Sequence, residues 1–154
     1  MNVTVSREQL SHLLYLTSTI VERRNTMPIL ANARLTAERD RLSVAATDLE
    51  VSLVGEAKAE VKTAGTITVS ARVLYDIVRE LPESEVNIQV SKGQRLEIQC
   101  GQSRFKINGI AAEEFPAIMG TAMSAPVPVE AAKLHYMLTQ TAFAVSTDET
   151  RYNI

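Results

Sequence analysis

The chain has 154 residues, of which 45% are hydrophobic and 22% charged, with five prolines, six glycines and one cysteine. That composition supports a packed core and excludes the disordered, collagen-like and disulfide-framework classes. A formal net charge of −2 excludes a protein that coats nucleic acid with its whole surface, so any such contact must be gathered on one basic face.

The first segment, Met1-Asn2-Val3-Thr4-Val5, alternates like a strand and lacks the basic region, apolar run and cleavage site of a signal peptide. Apolar runs such as Leu13–Leu16 end far short of the roughly 20 residues a membrane span requires. The expected location is the cytoplasm, without a membrane partner. A helix follows from about Arg7 to Val21, with Leu10, Leu13, Leu14, Ile20 and Val21 near one-face spacing. Three strands are then predicted from alternation: Ile29, Ala31, Ala33 and Leu35; Leu42, Val44 and Ala46; Leu49, Val51 and Leu53.

The pattern then starts again. Ile67-Thr68-Val69-Ser70 repeats Val3-Thr4-Val5-Ser6, and each copy leads into a helix whose N-terminus is offered a serine oxygen. The second helix carries Val73, Leu74, Ile77, Val78 and Leu81, and Pro82 stops it. Strands follow at Val86–Val90, Leu96–Cys100 and Phe105–Ile107, joined by turns at Lys92-Gly93 and Gly101-Gln102. Cys100, in an alternating apolar position, is expected to be buried and unreactive. A weaker third copy begins at Val127-Pro128-Val129-Glu130, with a helix presenting Leu134, Met137, Leu138 and Val145.

The unit is thus β-α-β-β-β in an α+β protein, with helices on one face of antiparallel sheets. The expected division is a complete domain over 1–119, a linker over 120–126 without any period, and the truncated start of a second domain over 127–154. In that third copy only Arg151-Tyr152-Asn153-Ile154 remain to start a strand, so its helix is expected to lack a covering sheet.

Along this doubled unit, Thr26-Met27-Pro28-Ile29-Leu30, Thr47-Asp48-Leu49-Glu50, Ser103-Arg104-Phe105 with Glu114-Phe115-Pro116, and Arg151-Tyr152 resemble successive landmarks of the bacterial DNA sliding clamps. These are the beta subunits of DNA polymerase III. The resemblance implies the DNA-clamp fold and a ring-shaped dimer around double-stranded DNA. It also implies a role as non-catalytic processivity factor, without a cofactor, that tethers polymerase III after a clamp loader has placed it.

Candidate sites follow from both lines of reading. Arg23-Arg24 after the first helix reads by itself as a solvated pair favoured by the helix dipole; the resemblance makes Arg24 a phosphate contact. Arg72 and Arg79 lie seven residues apart on one helix face, suited to following phosphates, although an Arg72–Asp76 pair at i,i+4 explains them as surface charge. Arg151 and Tyr152 match a family segment near DNA. Arg104, Phe105 and Ile107 on the last strand, with Val73 and Ile77 on the second helix, match half of the family's subunit interface. Taken alone, Phe105 and Ile107 read as core residues alternating with Arg104 and Lys106. Ile154 matches the start of the family's peptide-binding pocket, which is incomplete here.

Enzyme signatures are thin. His12 and His135 stand alone, so no metal is expected, and there is neither a glycine-rich phosphate loop nor a nucleophile motif. Asp48 and Glu50 are assigned to a strand start. The competing function is a protein-interaction module that docks through the open strand Ser103–Asn108 without binding DNA.

Overall fold

The computed structural model describes residues 1–21, 27–91, 93–118 and 127–146. They fall into two compact units, Met1–Ile118 and Met119–Ile154. The first unit holds β1 (Asn2–Ser6), α1 (Arg7–Ile20), β2 (Asn32–Glu38), β3 (Arg41–Thr47) and β4 (Ser52–Thr63). It continues with β5 (Gly65–Ser70), α2 (Ala71–Arg79), β6 (Glu85–Ser91), β7 (Arg95–Cys100) and β8 (Ser103–Asn108).

All eight strands form one antiparallel sheet in the order β5-β2-β3-β4-β1-β6-β7-β8. The two repeats do not lie side by side as independent blocks. Each repeat's first strand joins the other repeat: β5 pairs with β2, and β1 pairs with β6. The 12-residue β4 joins the two halves, pairing with β3 over Ser52–Lys58 and with β1 over Ala59–Thr63.

Both helices bury an apolar face in a single core cluster shared with the strands. α1 contributes Leu10, Leu13 and Leu14, while α2 contributes Ala71, Leu74 and Val78. The strands supply alternate residues such as Val3 and Val5, Leu42 and Val44, and Leu96, Ile98 and Cys100, as a sheet with one covered face requires. Cys100 is 1% exposed. α1 also buries Thr17 among its leucines, and the Thr17 hydroxyl donates to the Leu14 carbonyl at 3.0 Å, which removes the cost of an unpaired buried hydroxyl.

Two segments depart from the alternation rule, and one residue departs from the helix period. Ile29 and Ala31 are not in a strand: Pro28–Ala31 is a 3-10 turn with Pro28 at its start, where a missing N–H does no harm, and β2 begins only at Asn32. Leu49 and Val51 are exposed in the β3–β4 turn, where Leu49 has φ 82°. Asp48 Oδ1 accepts from the N–H groups of Glu50 (2.9 Å) and Val51 (2.6 Å), so Asp48 is a turn former and the strand starts after it. Val145 follows the third helix and does not form part of it.

Two residues after β8 the chain bridges directly to β5, the strand at the other end of the sheet order. Ile110 exchanges backbone hydrogen bonds with Thr68 of β5, at 2.8 and 3.2 Å, and Phe115 then packs with Ile29 and Leu30 in a small second cluster. The Arg34 guanidinium lies 5.2 Å from the centroid of the Phe115 ring. The second unit contains α3 (Ala131–Thr141) and a 3-10 turn, Ala142–Ala144, with Leu134, Met137 and Leu138 exposed.

Candidate nucleic-acid face and subunit edge

α2 is built to point a charged stripe away from the core. The Ser70 hydroxyl accepts from the Val73 N–H and caps the helix start. With Leu74 and Val78 buried, Arg72, Asp76 and Arg79 are left on the outward side at helical spacing. Arg72 Nε lies 3.9 Å from Asp76 Oδ2, and Arg79 Nη1 lies 3.4 Å from Asp76 Oδ1. Arg79 Nε also reaches Glu80 Oε1 at 3.1 Å. The Arg72–Asp76 pair inferred from spacing is therefore formed, and it is shared with Arg79. All these groups are well exposed, so the pairs contribute little and yield readily to a competing anion.

Arg7 has a role that its position in the sequence does not betray. Its Nε donates to the Val78 carbonyl at 3.2 Å and its Nη2 to the Arg79 carbonyl, so this residue of α1 caps the C-terminus of α2. No local signal could have found a contact between residues so far apart in the chain. The two helices also meet through Tyr15 and Tyr75, whose ring centroids are 6.1 Å apart. Beside them is an open depression of about 560 Å³ lined by Ser18, Val21, Ala31, Ser70, Arg72, Tyr75, Asp76 and Arg79.

At the opposite end of the sheet, β8 pairs with β7 on one side, and no other strand among the described residues pairs with it. Phe105 faces Ile98 and Ile107 faces Leu96 across the ladder, so both point to the core side of the sheet. Position at the edge separates them from a true core. Ile107 is half-buried, whereas Phe105 is 40% exposed, which corrects its assignment as a core residue. On the other face Arg104 Nη2 lies 3.5 Å from Gln99 Oε1, and Lys106 Nζ lies 3.2 Å from Glu97 Oε1. On α2, Val73 is exposed and Ile77 packs at the margin of the core. Arg24, Arg151, Tyr152, Ile154 and the 120–126 segment lie outside the described residues.

Among the described residues no group of three His, Cys, Asp or Glu could hold a metal ion, and no helix is long and apolar enough to cross a membrane.

An eight-stranded antiparallel sheet made of two interleaved β-α-β-β-β units, with both helices in one core, is a clamp-type domain. The sequence matches the family described as DNA polymerase III beta subunit, N-terminal domain, over residues 1–119, and the chain belongs to that family. The beta sliding clamp of Caulobacter vibrioides is 42% identical over 154 residues, and that of Pseudomonas putida 38%. Each alignment covers 99% of this chain, but only 41% and 42% of the relatives, so the chain spans about two fifths of their length. The solved sliding clamp of Caulobacter crescentus superposes with a TM-score of 0.93 at 42% identity, covering 99% of this chain and 41% of that one. The Streptococcus pyogenes beta subunit, only 19% identical, still gives a TM-score of 0.91 over 98% of this chain and 41% of its own, which shows the same fold.

Proposed function

We propose that this chain acts as the N-terminal part of a DNA sliding clamp, a non-catalytic ring that encloses duplex DNA and tethers DNA polymerase III. The observation that carries this reading is the outward stripe of α2. Arg72 and Arg79 stand two turns apart, about 10 Å along the axis, on the side of the helix away from the core. In this reading they exchange Asp76 for DNA phosphates, together with Arg24, Arg151 and Tyr152. Such contacts are independent of sequence and easily exchanged, which lets a ring slide.

The edge of β8, with Arg104, Phe105 and Ile107 and with Val73 and Ile77 on α2, serves as one half of a subunit interface with a second clamp chain. Its open backbone edge and exposed Phe105 suit strand addition. Ile154 contributes to a pocket for partner peptides. Polymerase III and a clamp loader are the partners of the assembled ring, in the cytoplasm at the nucleoid. Residues 1–119 form the first clamp domain, 120–126 a linker and 127–154 the start of the second.

The test is a titration of labelled duplex DNA at low and moderate salt, for the wild-type chain and for Arg24→Ala with Arg72→Ala and Arg79→Ala. The expected result is weak, sequence-independent binding that falls with salt at a log–log slope of about −2 to −3, and loses most of that slope in the triple variant. Equal binding by both proteins would place the DNA face elsewhere. No binding by either would favour an interaction module that docks through β8 alone.

A further inference from the structure

We propose that Tyr15, held in place by Tyr75, is a stacking platform for an unpaired nucleobase, giving the α1–α2 face a single-strand site in addition to its duplex phosphate contacts. The proposal rests on the reading of this face as the one that meets nucleic acid. Tyr15 is 53% exposed on a helix that buries Leu10, Leu13 and Leu14. Its ring is not free to wander, because it lies against Tyr75 at 6.1 Å with a 50° tilt between the planes. That tilt rules out a base sandwiched between the two rings, but leaves the outer face of Tyr15 available. Tyr75 cannot take the base itself: it packs against the core, and the Arg79 guanidinium stands 6.0 Å from its ring centroid.

The depression next to this pair supplies the rest of a single-strand site. Ser18 lies one turn after Tyr15 on α1, so platform and depression adjoin. Among the described residues the lining carries Arg72 and Arg79, whose partners Asp76 and Glu80 are exposed, so both guanidinium groups can exchange these weak pairs for the phosphates flanking a stacked base. An aromatic face beside a cationic groove is the arrangement that binds single strands without sequence preference, because every base has a π-face. A duplex cannot use the platform, since its bases are already stacked inside the helix and cost free energy to extract.

The chain has four tyrosines and no tryptophan, so tyrosine emission is unmasked, and the part of its quenching that is lost in Tyr15→Ala separates stacking on Tyr15 from contact at Tyr152. The experiment titrates the 154-residue chain at low salt with a short oligothymidylate and, separately, with a blunt duplex of the same length. In the wild type the oligothymidylate quenches tyrosine emission. Tyr15→Ala, at an exposed position where folding is not at stake, weakens oligothymidylate binding about five- to tenfold and leaves duplex affinity unchanged. Tyr15→Phe retains binding, because the ring and not the hydroxyl does the stacking. Arg72→Ala with Arg79→Ala weakens both ligands. The proposal is overturned if Tyr15→Ala binds oligothymidylate like the wild type, or if Tyr15→Phe is as weak as Tyr15→Ala. Duplex binding without oligothymidylate binding overturns this site alone, whereas binding of neither overturns the nucleic-acid reading of the whole face.

Discussion

Gly55, in the half of β4 that pairs with β3, shows how closely α1 lies on the sheet. A Cβ added there would sit 2.5 Å from Leu13 Cδ2, and Leu13 is buried, so the side chain has little room to swing away. Gly55→Ala is expected to cost about 1–3 kcal/mol through overpacking, read as a lower urea midpoint with an unchanged slope. Adding Leu13→Ala to Gly55→Ala should cost less than the two single changes together, because the new methyl fills part of the space that the leucine vacates. Strict additivity would mean that the two residues do not meet. Nothing in the local sequence around Gly55 announces this contact, since a glycine within an alternating stretch reads equally well as a bulge or a turn.

Among the elements, β8 and the segment after it decide how the sheet ends. One edge is partly closed by the Thr68–Ile110 bridge, and Phe115 then anchors the returning chain on Ile29 and Leu30. Phe115→Ala is expected to cost about 3 kcal/mol, measured by denaturant unfolding of the whole chain. Among the described residues no strand closes the β8 edge, and exposed strand edges beside an apolar side chain promote pairing between chains. Light scattering over a concentration series is expected to show dimers or larger species for the wild type. Phe105→Lys should shift them toward monomer while lowering the unfolding free energy by only about 1–2 kcal/mol, because the ring stands on the core side of the sheet opposite Ile98 but is partly exposed. A wild type that stays monomeric at every concentration would show that the edge is already blocked. The exposed Leu134, Met137 and Leu138 of α3 offer a second route to association, which replacement of Leu134 and Leu138 by polar residues separates from the first.

For the whole molecule, the exchange of first strands makes the two repeats depend on each other. Residues 1–62 alone would leave β1 without β6 and β2 without β5. That fragment is expected to show no cooperative unfolding, whereas residues 1–118 should unfold in one transition near the midpoint of the full chain. The reason is that every residue in the two buried clusters lies within the first unit. A cooperatively folding 1–62 fragment, followed by circular dichroism during heating, would show that the interleaving adds little to stability.

The sequence by itself determined the element types and the doubling, because periods of two and of about 3.6, and a recurring Thr-Val-Ser before α1 and before α2, are local properties of the chain. It also made the α2 stripe legible, since Arg72, Asp76 and Arg79 share a helix face by spacing alone. Its errors fall where alternation continues into a turn: the Pro28–Ala31 and Asp48–Val51 segments look like strands by hydropathy, but proline at a helix start and an aspartate bonding to the backbone ahead of it override the pattern. Tertiary structure alone decided which strand lies beside which, and so that the repeats interleave. It also decided that Arg7 caps a helix beginning more than sixty residues later, that Phe115 closes on Ile29 and Leu30, and that Tyr15 meets Tyr75. Each of these depends on long-range pairing, where backbone hydrogen bonds and core packing choose among partners that local periodicity cannot distinguish.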